Sequence, residues 1–497
     1  MSQSAQAAAA IAHPDKVYID GKWTAPSSGA TIEVISPSTE ELFLRVAAAE
    51  EADVKRAVAA ARRAFDAGPW PRMSHAERAE VLREIAKRVA DRSELLADIW
   101  ASEMGVVRSL AGYMVSGVPN DYLQYAALAD TFPFEERLQP GAGGNVGLLV
   151  REPVGTVAAI IPWNGPLGLI AHKIAPALLA GCTVVLKASP EAPGAAYVMA
   201  EIIDELGLPP GVFNMLTADR EVSELLVRHP DIDKVTFTGS SAAGKKIASI
   251  CGERIARCTL ELGGKSAAVV LDDYDLATVA ESISGSARLM TGQVCSSLTR
   301  VIVSRSRHDE LVEAMAASFS SIRVGDPFSK GIQMGPVATA RQRDRVESYI
   351  AKGEAEGARL ATGGRRPSQL NRGFFVEPTV FANVDNDMII AREEIFGPVV
   401  SVIPADSEEQ AVAIANDSVF GLNGSVFTND AERAYHVARQ LRTGTVGHNS
   451  FRTDFTMAFG GFKQSGIGRE GGREGLLPFL ETKSVILDAE PAHLAGR

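Results

Sequence analysis

Apolar positions follow two rhythms along this chain of 497 residues, and the change between them divides it. Residues 1–16 carry neither rhythm and are expected to form a flexible tail. From Glu50 to Phe65, Val54, Val58, Ala61 and Phe65 recur at helical spacing. Ser74 with Glu77 has the capping-box pattern, and Leu82, Ile85 and Val89 follow on one face. The first part of the chain is therefore read as helix-rich. From Thr156 onward, short continuous apolar runs appear: Thr156–Ile161, Thr183–Ala188, Gly211–Leu216, Lys234–Gly239 and Ser266–Leu271. Helical segments such as Gly168–Leu179 and Gly194–Leu206 lie between them. Strand and helix in alternation predict parallel strands with crossover helices, and unbroken apolar strands predict a sheet covered on both faces. A second α/β stretch follows residue 295, with strands expected at Arg300–Ser304 and Val399–Ile403.

Two pieces fall outside this scheme. Gly141–Gly144 leads into Asn145–Val150, an extended candidate, and Glu481–Leu487 is another. Isolated strands need partners for their backbone groups. These two serve either a subunit contact or an edge strand of the same subunit.

Composition narrows the classes. The chain is 46% hydrophobic and 22% charged, as soluble globular proteins are. Its net charge of −11 speaks against a nucleic-acid partner, while a local basic pocket could still hold an anionic cofactor. The four cysteines, Cys182, Cys251, Cys258 and Cys295, form no CxxC pair. That disfavours a zinc or dithiol motif, and no metal site is expected. So few cysteines fit a reducing compartment. No signal peptide and no membrane span are read, so a cytoplasmic setting is expected.

Five segments carry chemistry. In Lys234–Gly244, a strand ends at a Gly239–Ser240 turn that opens a helix, where free N–H groups suit a phosphate; a plain strand-to-helix turn reads the same way. In Thr259–Ser266, Glu261 precedes a Gly–Gly turn and is either a structural carboxylate or, if buried, a general base. In Gly292–Cys295, the cysteine is either a core filler or a nucleophile that needs activation. In Ile161–Pro166, Asn164 offers an amide to an oxyanion or steadies the turn. In Glu393–Pro398, a carboxylate and an aromatic precede Gly–Pro and could bind a ribose and cover a ring.

Each segment is ambiguous alone, but together and in this order they resemble the aldehyde dehydrogenase superfamily from about Val17 to Leu487. The matching stretches are PWNGP (162–166), VVLK (184–187), FTGS (237–240), LELGGKS (260–266), GQVC (292–295), EEIFGP (393–398) and FGGFKQSGIGRE (459–470), with Glu261 and Cys295 34 residues apart. The resemblance implies an α/β fold with a Rossmann-like cofactor-binding domain (17–130 and 152–262), an α/β catalytic domain (263–463) and a small β oligomerisation arm (131–151 and 475–497), after the tail at 1–16. It implies Cys295 as nucleophile, Glu261 as the base that activates water, and Asn164 with the Cys295 N–H around the oxyanion. Trp163, Lys187, Gly239, Ser240, Gly244, Glu394 and Phe396 are implied at the cofactor. The implied product is a carboxylate, made through a thiohemiacetal and a thioester on Cys295. The implied partners are a small-molecule aldehyde and further copies of the chain, as a homodimer or homotetramer, without nucleic acid or membrane.

Departures from the family pattern leave two questions. Many NAD-specific members carry a Glu three residues after the lysine; here Pro190 stands there and Glu191 follows. NAD is expected, because Glu191 can substitute and the nearby sequence adds no Arg for a 2′-phosphate, with NADP as the alternative. Gly165, His172, Phe455 and Phe459 are expected to line a roomy, largely apolar substrate pocket for medium-chain, aromatic or terpenoid aldehydes, with no acid or aromatic cage for a quaternary ammonium. The rival readings are a coenzyme A-acylating member, which Glu261 disfavours, a non-catalytic protein on the same fold, and a thiol hydrolase.

Overall fold

A computed structural model describes residues 2–492. The apolar runs from Thr156 onward form the centre of an eight-stranded sheet. Five strands run parallel there, in the order Arg257–Glu261, Lys234–Thr238, Thr156–Ile160, Thr183–Ala188 and Phe213–Thr217. Except at their termini, all five are buried along their length, which is why the sequence shows runs rather than alternation. Helices Pro166–Ala180, Gly194–Leu206 and Ser241–Glu253 cross between them.

The order has a functional consequence. From Thr156–Ile160 the chain builds outward in one direction through 183–188 and 213–217. It then returns to build the other way through 234–238 and 257–261. The reversal leaves a crevice outside the carboxyl ends of 156–160 and 234–238, where open α/β sheets bind ligands. Trp163, Asn164, Gly239 and Ser240 emerge at that crevice.

A seven-stranded sheet follows, ordered Arg359–Thr362, Thr379–Ala382, Val399–Ala405, Leu298–Ser304, Ser266–Val270, Asn423–Phe427 and Thr445–His448. All its pairings are parallel except the first. Cys295 and Glu394 stand just ahead of two of its strands. The catalytic segments thus come from the carboxyl ends of one sheet and the amino ends of the other.

The helical rhythm of the first part forms helices Glu51–Asp66 and His75–Asp91, the latter with both bonds of the Ser74–Glu77 capping box. The two orphan segments find each other: Leu480–Leu487 pairs along Val146–Pro153, and Glu135–Leu138 completes a three-stranded antiparallel sheet. Gly466–Ile467 turns back before that, adding an edge strand beside Arg257–Glu261. Residues 493–497 of the expected arm lie outside the described residues.

The expected flexible tail is a correction. Gln3–Ala9 is a helix, capped by the Ser2 hydroxyl on the Ala5 N–H. Ala7 and Ile11 are buried in the main core cluster, and the Ala12 N–H donates to Glu201. An alanine-rich segment has no polar stripe to announce a helix, but alanine is the best helix former and needs only a small apolar landing site.

Candidate active site

Three loops cross at one point, and glycines mark each crossing. A Cβ on Gly264 would stand 2.3 Å from the Cys295 carbonyl oxygen. One on Gly292 would stand 2.3 Å from the Gly397 carbonyl, and one on Gly263 2.4 Å from the Glu394 carboxylate. No side chain fits at those distances. The LELGG, GQVC and EEIFGP segments are therefore in backbone contact.

The loop before the cysteine is strained. Met290, Thr291 and Gly292 are all left-handed, with φ of 49°, 57° and 70°. For the two non-glycine residues this costs on the order of 1–3 kcal/mol each. Side-chain bonds hold the shape. Thr291 donates to the Gly335 carbonyl at 3.1 Å, and the buried Gln293 amide bonds the Met290 carbonyl at 3.0 Å and the Ala338 N–H at 2.9 Å. Asn164 reaches the same loop: its Nδ2 donates to the Gln293 carbonyl at 3.1 Å, while Trp100 donates to the Asn164 carbonyl at 3.0 Å. The Asn164 amide is thus fixed on Gln293, two residues before Cys295.

Cys295 is a half-buried free thiol. Burial pushes it up to about 12, and the negative charges of Glu394 and Glu261 add to the effect. In this arrangement the thiol holds its proton, and attack requires that proton to leave. Glu261 ends the 257–261 strand, 2% exposed, and neither carboxyl oxygen has a hydrogen-bond partner. Burial, then Glu470, drives its acidity well below that of an ordinary carboxyl, while Lys173 and Arg469 oppose them. A buried, unpartnered carboxyl at a strand end has what a general base needs: a reason to take a proton and no structural bond to lose.

The cofactor candidates lie along the crevice. Ser240 caps helix Ser241–Glu253 through the Ala243 N–H at 3.3 Å, and the remaining free N–H groups there suit a pyrophosphate. Gly244 lets that helix close on the sheet, since a Cβ would stand 2.4 Å from Leu262. Gly239 donates to the Glu261 carbonyl at 3.0 Å, tying the phosphate turn to the base. Lys187 is buried at the next strand end, lowered to about 8 by burial, with Glu191 and Asp219 as opposing charges and no hydrogen bond. An orphaned ammonium there fits a hydroxyl-bearing ligand. Phe396 has φ 61°, fixed by Gln342 bonds to the Ile395 and Phe396 carbonyls, and meets Trp163 edge to face at 5.4 Å. Glu394 accepts from Gly264 N–H at 3.0 Å, and burial raises its carboxyl to about 7.

Comparison with known proteins decides what this site belongs to. The profile of the aldehyde dehydrogenase family matches residues 23–485. The chain belongs to the aldehyde dehydrogenase family. It is 45% identical over 472 residues to the geranial dehydrogenase of Castellaniella defragrans, covering 95% of this chain and 98% of that protein. It is 44% identical over 474 residues to a 3-succinoylsemialdehyde-pyridine dehydrogenase of a Pseudomonas species, covering 94% and 98%. The crystal structure of a Mycobacterium tuberculosis aldehyde dehydrogenase with NAD+ has 47% identity and a TM-score of 0.93, over 95% of this chain and 98% of that one. A mutant aldehyde dehydrogenase C of Pseudomonas syringae, with NAD+ and octanal, has 41% identity and a TM-score of 0.92, over 96% and 98%. Among the described residues, no helix of this dehydrogenase is long and apolar enough to cross a membrane.

Two expectations need correction. The sequence near Glu191 holds no Arg, but the fold brings one: Arg341 donates to the Glu191 carboxylate at 3.0 Å, and Ser189 donates to its other oxygen. The carboxylate expected at the adenosine ribose is thus already partnered. On the substrate side the expected His172, Phe455 and Phe459 come together, but the largely apolar lining also holds an acid that the sequence did not reveal. His172 stacks on Phe455 at 3.9 Å, Phe455 on Phe459 at 4.3 Å, and Asp121 lies 3.8 Å from His172. Gly165 stands open beside Met290, with its nearest neighbours 4.0 Å from a notional Cβ.

Sequence reasoning missed the groups that tune the base. Lys173 is fully buried, ion-paired with Glu470, and donates to Thr238 at 2.7 Å. Glu470 was in plain view in the FGGFKQSGIGRE match. Lys173, inside an apolar helix, was a signal in itself, because a buried lysine demands a partner.

Proposed function

We propose that this dehydrogenase oxidises a medium-chain, aromatic or terpenoid aldehyde to the carboxylate with NAD and water, through a covalent intermediate on Cys295. The observation that carries the reading is the meeting of Asn164 with the strained Cys295 loop, beside a buried and unpartnered Glu261. The Cys295 thiol gives its proton to Glu261, which passes it on to solvent, and the sulfur bonds to the aldehyde carbon. The carbonyl oxygen takes the negative charge and is held by Asn164 Nδ2 and the Cys295 N–H. Bound NAD supplies the acceptor for the hydride that leaves the thiohemiacetal, and a thioester remains on Cys295. Glu261 takes a proton from water, which attacks the thioester and releases the carboxylate. Ser240, Gly239 and Gly244 are the groups for the pyrophosphate, Lys187 and Glu191 for the adenosine ribose, and Glu394, Phe396 and Trp163 for the nicotinamide end.

The apolar surfaces of Phe455, Phe459 and Met290 support an apolar aldehyde, and open space at Gly165 supports a wide one. Identity to a geranial dehydrogenase points the same way. The Arg341–Glu191 contact favours a second cofactor reading: a carboxylate already neutralised repels a 2′-phosphate weakly, so NADP is also used. The three-stranded sheet exposes Leu138 and Ile486, which supports its role as an arm between copies, in a homodimer or homotetramer.

The test is purified protein with NAD or NADP and an aldehyde panel, without coenzyme A. Carboxylate forms, and Cys295→Ala lowers the rate by about 10^4-fold or more, as removal of a nucleophile does. Undiminished NADH formation by that variant overturns the mechanism.

A further inference from the structure

The far wall of the aldehyde site is polar where an apolar substrate would leave it bare. Helix Arg108–Thr131 packs on helix Pro166–Ala180 and presents Asp121 to His172, with 3.8 Å from Asp121 Oδ2 to His172 Nε2. That is too long for a hydrogen bond. His172 is 6% exposed, and its other ring nitrogen, Nδ1, is buried without a partner. Burial holds His172 neutral, its basicity pushed down to about 3, and raises Asp121 to about 7 with no hydrogen bond to offset it. The neighbouring ammonium does not serve either group, because Lys173 is committed to Glu470 and Thr238. Buried polar atoms are nearly always satisfied. His172 Nδ1, buried and open, beside the part-buried Asp121 carboxylate that has no hydrogen bond, calls for a ligand group that serves both.

The surroundings define the shape of that ligand. The rings of His172 and Phe455 are 6° from parallel, and those of Phe455 and Phe459 are 23° apart. A flat ring extends such a stack, whereas a branched chain does not. Gly460, next to Phe459, stands against Glu261, since a Cβ there would be 2.6 Å from its Oε1. The stack therefore borders the catalytic pocket. His172 lies six residues into its helix from Pro166, about 9 Å along the axis at 1.5 Å per residue. The polar pair is thus set well back from Asn164.

We propose that Asp121 and His172 form a distal clamp that selects flat conjugated aldehydes bearing a hydrogen-bond donor, a hydroxyl or an N–H, at the end remote from the carbonyl. The proposal rests on the aldehyde dehydrogenase reading and narrows its substrate class. The donor bonds the Asp121 carboxylate, His172 Nδ1 takes the second polar contact, and the ring lies alongside the aromatic stack. Asp121 and His172 are specificity residues. They take no part in the transfer at Cys295.

The experiment compares kcat/KM for 4-hydroxycinnamaldehyde and the nearly isosteric 4-methylcinnamaldehyde in wild type, Asp121→Leu, Asp121→Asn and His172→Phe. Wild type prefers the hydroxyl probe tenfold or more. Asp121→Leu brings the ratio to within about twofold of unity chiefly by losing the hydroxyl probe, and a melting temperature close to that of wild type certifies the fold. Asp121→Asn keeps part of the preference, and His172→Phe keeps the ring but loses part of it. Equal use of the two probes by wild type, or equal losses on both in Asp121→Leu, overturns the clamp. So does a trimethylammonium analogue preferred over the hydroxyl, which makes the pair a charge site. Failure of the dehydrogenase reading has a different signature: neither probe gives Cys295-dependent NADH formation.

Discussion

The site has two ends built in different ways. At the chemical end, backbones cross, Gly264 against Cys295 and Gly292 against Gly397, and the Glu394 carboxylate packs against Gly263. At the aldehyde end, side chains from distant segments meet: Asp121, His172, Phe455 and Phe459. A backbone crossing tolerates one residue type, whereas a side-chain wall tolerates many. The first kind of construction fixes the reaction and the second leaves the substrate adjustable.

The comparison is tested hardest at Glu261, which belongs to the chemical end yet has no hydrogen bond on its carboxyl. Glu261→Gln slows thioester hydrolysis by about 10^2- to 10^4-fold, the range for a general base. A burst of NADH followed by slow turnover is the expected trace, and unchanged steady-state turnover would remove Glu261 from the mechanism. Stability moves the other way. The folded carboxyl holds its proton more tightly than its ordinary 4.5. The stabilisation linked to that proton is complete below 4.5 and is lost as pH rises through the folded value. Wild type therefore weakens toward alkaline pH, and Glu261→Gln melts at a higher temperature than wild type there. A flat difference in Tm across pH breaks the assignment of Glu261 as a buried carboxyl with raised proton affinity.

Gly264→Ala is next in size. Its Cβ must displace the Cys295 carbonyl, and misplacing a reacting group by about 1 Å costs on the order of 10^2-fold. The fall is expected in kcat for every aldehyde alike, since no substrate contact changes. A loss confined to large aldehydes would move Gly264 to the other end of the site.

These two residues also explain what could be read in advance. Glu261, Gly264 and Cys295 sit in short contiguous motifs because each crossing is made within a few residues of one loop. The parallel sheet was legible for a similar reason, since burial on both faces leaves unbroken apolar runs such as Thr183–Ala188. Asp121 and Arg341 were illegible because their roles exist only across the fold: Asp121 meets His172, and Arg341 reaches Glu191. Both look like ordinary polar residues of helices. The helix at Gln3–Ala9 was missed because alanine repeats carry no periodicity to read.

Phe455→Ala probes the aldehyde end. Removing the middle ring separates His172 from Phe459. A stacked pair is worth about 0.5–1.5 kcal/mol beyond its buried area. KM for aromatic aldehydes rises about two- to tenfold, while kcat/KM for a two-carbon aldehyde changes little. Equal effects on both would tie Phe455 to the chemistry.

The smallest effect sharpens the comparison most, because it repeats a glycine-to-alanine change at the other end. Gly165 adjoins Asn164 in sequence, so position in the motif alone predicts damage comparable to Gly264→Ala. The geometry predicts the opposite. Its notional Cβ meets only the Leu169 Cδ1 and Met290 Cε methyls, both at 4.0 Å, which is ordinary contact. Its φ of −142° suits any residue. Gly165→Ala therefore leaves kcat for short aldehydes within about twofold and stability within about 0.5 kcal/mol, as an unstrained substitution does. A larger side chain, Gly165→Leu, reaches Met290 and lowers kcat/KM in proportion to aldehyde width. If Gly165→Ala instead matches Gly264→Ala, the loop after Asn164 is as tightly fitted as the Cys295 crossing. The two ends then share one kind of construction.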